Sequence, residues 1–122
     1  MTAITRLDST SVFPPGLAVV RTAYTVPDLT AALAGQDAAV CVVGPAGVPL
    51  QTAMIDAAVA AGVRRFVVDD FGWGPDARAL PELADINAQR KAQWDHARAA
   101  ADANPAFTWS GVSSGNPIDW VR

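Results

Sequence analysis

The sequence predicts an α/β protein, a partial doubly wound parallel sheet with flanking helices, and three observations carry that expectation. Five short apolar runs, "TAITR", "LAVVRTAY", "AAVCVV", "RFVVDD" and "FTWSGVS", alternate with longer alanine-rich stretches, the rhythm of strands joined by crossover helices. Three of these runs are apolar almost throughout instead of alternating, as strands covered by helices on both faces must be. Proline near the start and glycine at the end punctuate the stretches between them, the asymmetry of helix termini.

Taken in order, "TAITR" reads as a strand with no turn or helix in front of it, and "LAVVRTAY" follows after a Pro- and Ser-containing connection. "VPDLTAALAGQD" places Pro27 at a helix start, Leu29, Ala32 and Leu33 on one face, and Gly35 as the stop. After "AAVCVV", the stretch "VPLQTAMIDAAVAAG" repeats the arrangement. Pro49 lies near its start, Leu50, Met54, Ala57, Ala58 and Ala61 form a stripe, and Gly62 is the C-cap. The last helix spans about "DINAQRKAQWDHARAAADAN", with Asp85 as N-cap and Asn104-Pro105 ending it before the final strand.

Length and charge bound the partners. A chain of 122 residues, 51% hydrophobic and 17% charged, is one domain over 1–122 with a modest core. A net charge of −3 with no Lys/Arg cluster excludes a phosphate-tracking surface, so no nucleic acid is expected as a partner. No stretch approaches a membrane span and no signal pattern opens the chain, so the expected location is the cytoplasm. A single cysteine, Cys41, sits inside "AAVCVV" and reads as packing. His96 has no second histidine or cysteine near it in sequence, so no metal site is expected. Adjacent strand residues point to opposite faces, which argues against Asp69 and Asp70 as a proton-sharing pair. "FTWSGVSSGNPIDW" lacks Gly-x-Ser-x-Gly, which sets a hydrolase triad aside.

In doubly wound sheets ligands sit beyond the carboxyl ends of the strands. Those ends carry Arg6, Gly44-Pro45-Ala46-Gly47, Asp69-Asp70-Phe71-Gly72 and Ser113-Ser114-Gly115.

With those residues in view, the order of motifs resembles the NmrA-like and isoflavone-reductase-like family of atypical short-chain dehydrogenases. The matching stretches are "ITR", "FPPGLAVVRTAY", "LTAALAGQDAAVCVVG", "QTAMIDAAVAAGVRRFVVDDFG", the helix bearing "RKAQWD", and "FTWSGVSSGNPIDW". The resemblance implies a Rossmann-like NAD(P)-binding fold with NADP as cofactor. It also implies a strand and a glycine-rich loop before "TAITR". Neither is found here, because the sequence contains no Gly-x-Gly-x-x-Gly or Gly-x-x-Gly-x-x-Gly. The expectation is therefore a sheet lacking its first, central strand and, beyond "NPIDWVR", the smaller C-terminal domain. Such a gap either closes or leaves two strand edges open to self-association.

The resemblance assigns Arg6 to the adenosine 2′-phosphate, with Ser9 and Ser11 as helpers. It assigns Lys91 to the nicotinamide side, where an amine can polarise a carbonyl or relay a proton. Gly44 and Pro45 would pass close to the cofactor, Gln51 would reach the nicotinamide side, and Asp70 and Phe71 match the family's strand exit. Each has a plainer reading: Arg6 as a solvated strand end, Gly44-Pro45 as a turn, Gln51 as a solvated helix start, and Lys91 as the partner of Asp95 at i, i+4. Trp73, Trp94, Trp109 and Trp120 line an aromatic pocket or serve as core, and Trp109 within its strand reads as packing. Three functions stay open. One is an NADP-dependent reductase acting on a small aromatic or enone substrate. Another is a non-catalytic module that senses dinucleotide or binds a protein partner, and the last is an inactive fragment.

Overall fold

A computed structural model describes residues 1–71, 81 and 84–114. Trp73, Trp120, Gly72 and Gly115 lie outside the described residues. The described strands are β1 (Thr2–Arg6), β2 (Ala18–Thr22), β3 (Ala38–Val40), β4 (Arg65–Val68) and β5 (Thr108–Gly111). The helices are α1 (Val26–Leu33), α2 (Gln51–Ala60) and α3 (Ala84–Ala103), and a 3₁₀ turn over Pro45–Leu50 leads into α2. Every apolar run that reads as a strand contains one: β1 spans the whole of its run, and β2 to β5 are shorter than theirs.

The helix ends follow from local chemistry. Thr25 caps α1, its hydroxyl oxygen accepting the Asp28 N–H at 3.3 Å, and proline occupies the first turn, where a missing N–H costs nothing. At the end of α2, Gly62 adopts φ +77°, and its N–H and that of Val63 close onto the carbonyls of Val59 and Ala58. Asp85 lies inside the first turn of α3, which begins at Ala84, so it favours the positive helix end rather than forming the cap expected.

All strands pair in parallel, but in two sheets. β1 pairs with β2, and β3, β4 and β5 follow in that order. Among the described residues nothing lies between β1 and β3, so the gap that the sequence implies stays open and both edges are unpaired. α1 packs on α2 and α2 on α3, forming one layer. Into that layer point Ala39, Cys41 and Val43 after β3's start, Phe66 and Val68 of β4, and Trp109 of β5. The core gathers there around Ile55, Ala57, Ala58, Val68 and Ala97, each fully buried.

The opposite face departs from the expectation of helices on both sides. Val40 is 63% exposed and Val42 73%, so among the described residues the apolar runs are covered on one face only. Their continuous hydrophobicity answers a cover that the described residues do not provide.

Helix α3 meets the sheet through Trp94, whose ring packs edge-on against Trp109 with centroids 5.6 Å apart. This contact requires Gly111, where a Cβ would lie 2.7 Å from Trp94 Cζ2. Gly111→Ala is expected to destabilise the domain by about 1–3 kcal/mol, the usual cost of overpacking a rigid ring. Denaturant unfolding of the variant measures it, and an unchanged midpoint would mean that Trp94 yields freely.

Candidate functional site

The carboxyl ends of the strands are tied into one continuous edge. Tyr24, just beyond β2, donates its hydroxyl to the Ile4 carbonyl at 3.4 Å and sits in the electrostatic field of both Arg6 and Cys41. Burial raises its pKa, the Cys41 thiol adds to that, and the Arg6 cation opposes it. The ends of β1, β2 and β3 are thereby on one side. Tyr24 holds this position at φ +59°, a conformation uncommon for any residue but glycine.

Between β3 and β4 the tie is a polar knot. The Gln51 side chain is completely buried. Its carbonyl accepts the Asp69 N–H at 2.8 Å, and its amide reaches the Asp69 carbonyl at 3.5 Å. The Asp69 carboxylate accepts the Val43 N–H at 3.1 Å. The start of α2, the end of β4 and the exit from β3 are thus fixed together. The loop from Val43 to the 3₁₀ turn is held close, since a Cβ on Gly47 would meet Val43 Cβ at 2.8 Å.

Burial raises the Asp69 pKa, opposed by the Val43 N–H and the Arg90 cation. Burial also pushes the Cys41 thiol up to about 12, with the Asp69 charge adding to the shift, so the thiol stays protonated at neutral pH. Its sulfur lies 3.5 Å from Met54 Sδ in the core.

Asp70 follows Asp69 at the exit of β4. It is buried, and its Oδ1 stands 3.8 Å from Nη1 of Arg90 on α3. Further along α3, Thr52 donates to Gln93 at 3.0 Å, and His96 meets Asp56 at 2.7 Å, both fastening α3 to α2. Ser114 donates to the Phe71 carbonyl at 2.7 Å, joining the exits of β4 and β5. Among the described residues no group of three His, Cys, Asp or Glu side chains is placed to hold a metal.

The residues singled out in the sequence divide accordingly. Arg6 is exposed at the end of β1, with Asp8 at 3.7 Å from its Nε. Ser9 shapes the turn beside it, donating its N–H to the Arg6 carbonyl at 3.1 Å and accepting the Ser11 N–H on its hydroxyl at 3.3 Å. Gly44 and Pro45 open the 3₁₀ turn that follows β3, and Phe71, beyond the end of β4, is half-buried. Gln51 is not a solvated helix start, because its amide is engaged by the backbone of Asp69. Lys91 is exposed on α3 and paired with Asp95, as its i, i+4 spacing allows.

The α3 cation that reaches the strand ends is Arg90, one residue earlier. The sequence carries a signal for it: Arg90, Gln93, Trp94 and Ala97 fall at i, i+3, i+4 and i+7, one helical stripe on which Gln93 and Ala97 are buried.

A parallel α/β sheet with its loops gathered at the carboxyl edge is the architecture of dinucleotide-binding domains. Residues 1–119 match the family model described as NAD(P)H-binding, and the chain belongs to that family of Rossmann-type proteins. It is 62% identical over 121 residues to "Oxidoreductase poxI" of Penicillium oxalicum, covering 99% of this chain and 38% of that protein. It is 30% identical over 121 residues to "Oxidoreductase aprR" of Aspergillus flavus, covering 94% of this chain and 39% of that one. The chain therefore spans well under half the length of these relatives. No described helix is long and apolar enough to cross a membrane.

Two measurements test the polar knot. Gln51→Leu is expected to cost about 1–3 kcal/mol in denaturant unfolding, because it strands the buried Asp69 N–H. The second concerns pH. Since the Asp69 pKa is raised on folding, the native state holds this proton more tightly than the unfolded chain. Its contribution to stability is therefore greatest below the ordinary value of 3.8 and is lost as pH rises from there through the raised value. Asp69→Asn, which keeps an oxygen for the Val43 N–H, is expected to remove that decline from the stability-against-pH curve. Parallel curves for the two proteins would show that Asp69 titrates normally.

Proposed function

We propose that this domain forms the NADP-recognising part of an oxidoreductase of the isoflavone-reductase type, with Arg6 reading the adenosine 2′-phosphate. The observation that supports this most is the exposed Arg6 guanidinium at the carboxyl end of a parallel strand, on the edge where the β1, β2 and β3 exits converge. Its only neighbour of opposite charge among the described ion pairs is the exposed Asp8, a weak contact that a dianionic phosphate would displace.

The residues present fit the phosphate end of the cofactor better than its nicotinamide end. Nicotinamide dinucleotides supply hydride transfer when bound. This chain's part is to hold the ribose phosphate and to keep the Gly44-Pro45 turn and Phe71 at the same edge. Gln51 and Asp70 act beneath that edge as supports, through Asp69 and Arg90. Lys91 would join the chemistry only by leaving Asp95 and turning toward a small aromatic or enone substrate. The Lys91–Asp95 pair therefore favours a second reading, a module that senses dinucleotide without catalysis.

Titration with NADPH and NADH, read by cofactor fluorescence and melting temperature together, is the test. NADPH is expected to raise the melting temperature more than NADH. Arg6→Ala should weaken NADPH by about tenfold or more, the loss of a charge-assisted hydrogen bond, and leave NADH unchanged. Equal affinity of wild type and variant for NADPH would remove Arg6 from the site. Lys91→Ala should leave both affinities unchanged, and its effect on turnover in a chain of the relatives' length separates the reductase from the sensor.

A further inference from the structure

The first turns of α3 carry two nitrogen donors with nothing to donate to. Among the described residues, Nδ2 of Asn87 and Nε of Arg90 are closed to solvent and have no hydrogen-bond partner. A donor left in that state costs the full desolvation of the group, and native proteins rarely tolerate it without an acceptor that meets it. We propose that Asn87 and Arg90 form a binding site for the oxygen of an uncharged carbonyl group, which a ligand of the oxidoreductase brings to the carboxyl ends of β4 and β5.

Three observations carry the proposal. The first is that the two residues share a helix face. They lie three positions apart on α3, the spacing that makes side chains neighbours on a helix surface. A carbonyl oxygen has two lone pairs, one for each donor.

The second is placement. Trp94, one turn after Arg90, packs on Trp109 and sits against Gly111, the last residue of β5. Nη1 of Arg90 stands 3.8 Å from Oδ1 of Asp70, just beyond the end of β4. This face of α3 therefore passes the ends of both strands, and Asn87 lies one turn further out, on the side where ligands of parallel sheets sit. Ser114 holds the two exits together through the Phe71 carbonyl. The Arg90 side chain is 23% exposed, so its guanidinium offers the approach to the pair.

The third is charge. The Arg90 cation faces the Asp70 carboxylate and also acts on that of Asp69. Two carboxylates about one guanidinium leave no positive charge over for an anion, and the neighbouring Lys91 is engaged by Asp95. An incoming carboxylate meets like charge here, whereas a neutral carbonyl needs only the two N–H groups.

The proposal rests on the oxidoreductase reading above for the identity of the ligand. Two ligands of such a protein present the group: the carboxamide of nicotinamide and a ketone substrate. Acetophenone, nicotinamide and benzoate are titrated separately into the isotope-labelled chain with no dinucleotide present. None of the three carries a phosphate, so failure here and failure of the Arg6 assignment are read apart.

Acetophenone or nicotinamide is expected to shift the Arg90 Nε–H and Asn87 Nδ2 resonances saturably, with benzoate at least about tenfold weaker. A response to nicotinamide assigns the site to the cofactor, and a response to acetophenone alone assigns it to a ketone substrate. Arg90→Lys keeps a cation opposite Asp70 but has no Nε–H. That variant and Asn87→Ala should each weaken the responding probe about tenfold in a chain that still melts cooperatively, and the wild-type resonances report the site even where a variant does not fold. Unmoved resonances with both neutral probes would overturn the proposal, the two donors then holding an ordered water only. Benzoate bound as tightly as acetophenone, or full affinity in the folded variants, would overturn it as well.

Discussion

The amide of Gln51 sets the geometry on which the candidate site depends. A buried side chain that pairs with both backbone groups of Asp69 continues β4 past the point where strand partners end. Asp69 in turn holds Val43 and so the start of the Gly44-Pro45 turn. Without that relay the exits of β3 and β4 would be independent loops, each carrying buried polar groups with no partner. With it, residues from two strands and a helix start share one position. The cost is a carboxylate kept partly out of water, which is why Asp69 is poised nearer to protonation than an ordinary aspartate.

This relay also explains what could and could not be read from the sequence. Strands and helices were legible because hydrophobic period, proline at helix starts and glycine at helix ends are local signals. Gly62, for instance, takes the left-handed conformation that its place after an alanine stripe suggests. The pairing partners of Gln51 were not legible, since nothing local distinguishes a glutamine at a helix start that faces solvent from one that faces a strand 18 residues away. Arg90 lies between these cases. Its place on the stripe with the buried Gln93 and Ala97 was readable from spacing, whereas its approach to Asp70, which comes from another element, was not.

The gap in the sheet was legible by a different route. Its signal was the order of apolar runs set against a family pattern. The structure adds the physical form: strand edges at one groove, a helical floor, and two valines open to water. Large exposed apolar side chains in a patch mark a surface that binds something, whereas scattered ones do not. Val40 and Val42 lie two residues apart and leave a small apolar patch exposed among the described residues.

Arg6 and Lys91 illustrate why exposure alone does not make a site. Both are cations with a nearby aspartate, and both matched residues of functional interest. They differ in what surrounds them. Lys91 and Asp95 share one helix face, where spacing alone brings them together and solvent screens the pair. Arg6 stands at the mouth of the sheet, beside Tyr24, whose φ of +59° is retained where the ring spans from β2 to the Ile4 carbonyl of β1. A residue held in such a conformation needs its surroundings to enforce it. The ring that Tyr24 holds there feels the charge of Arg6 and lines the groove between the two sheets. The carboxyl edge of β1 and the apolar groove between the sheets therefore meet at one side chain.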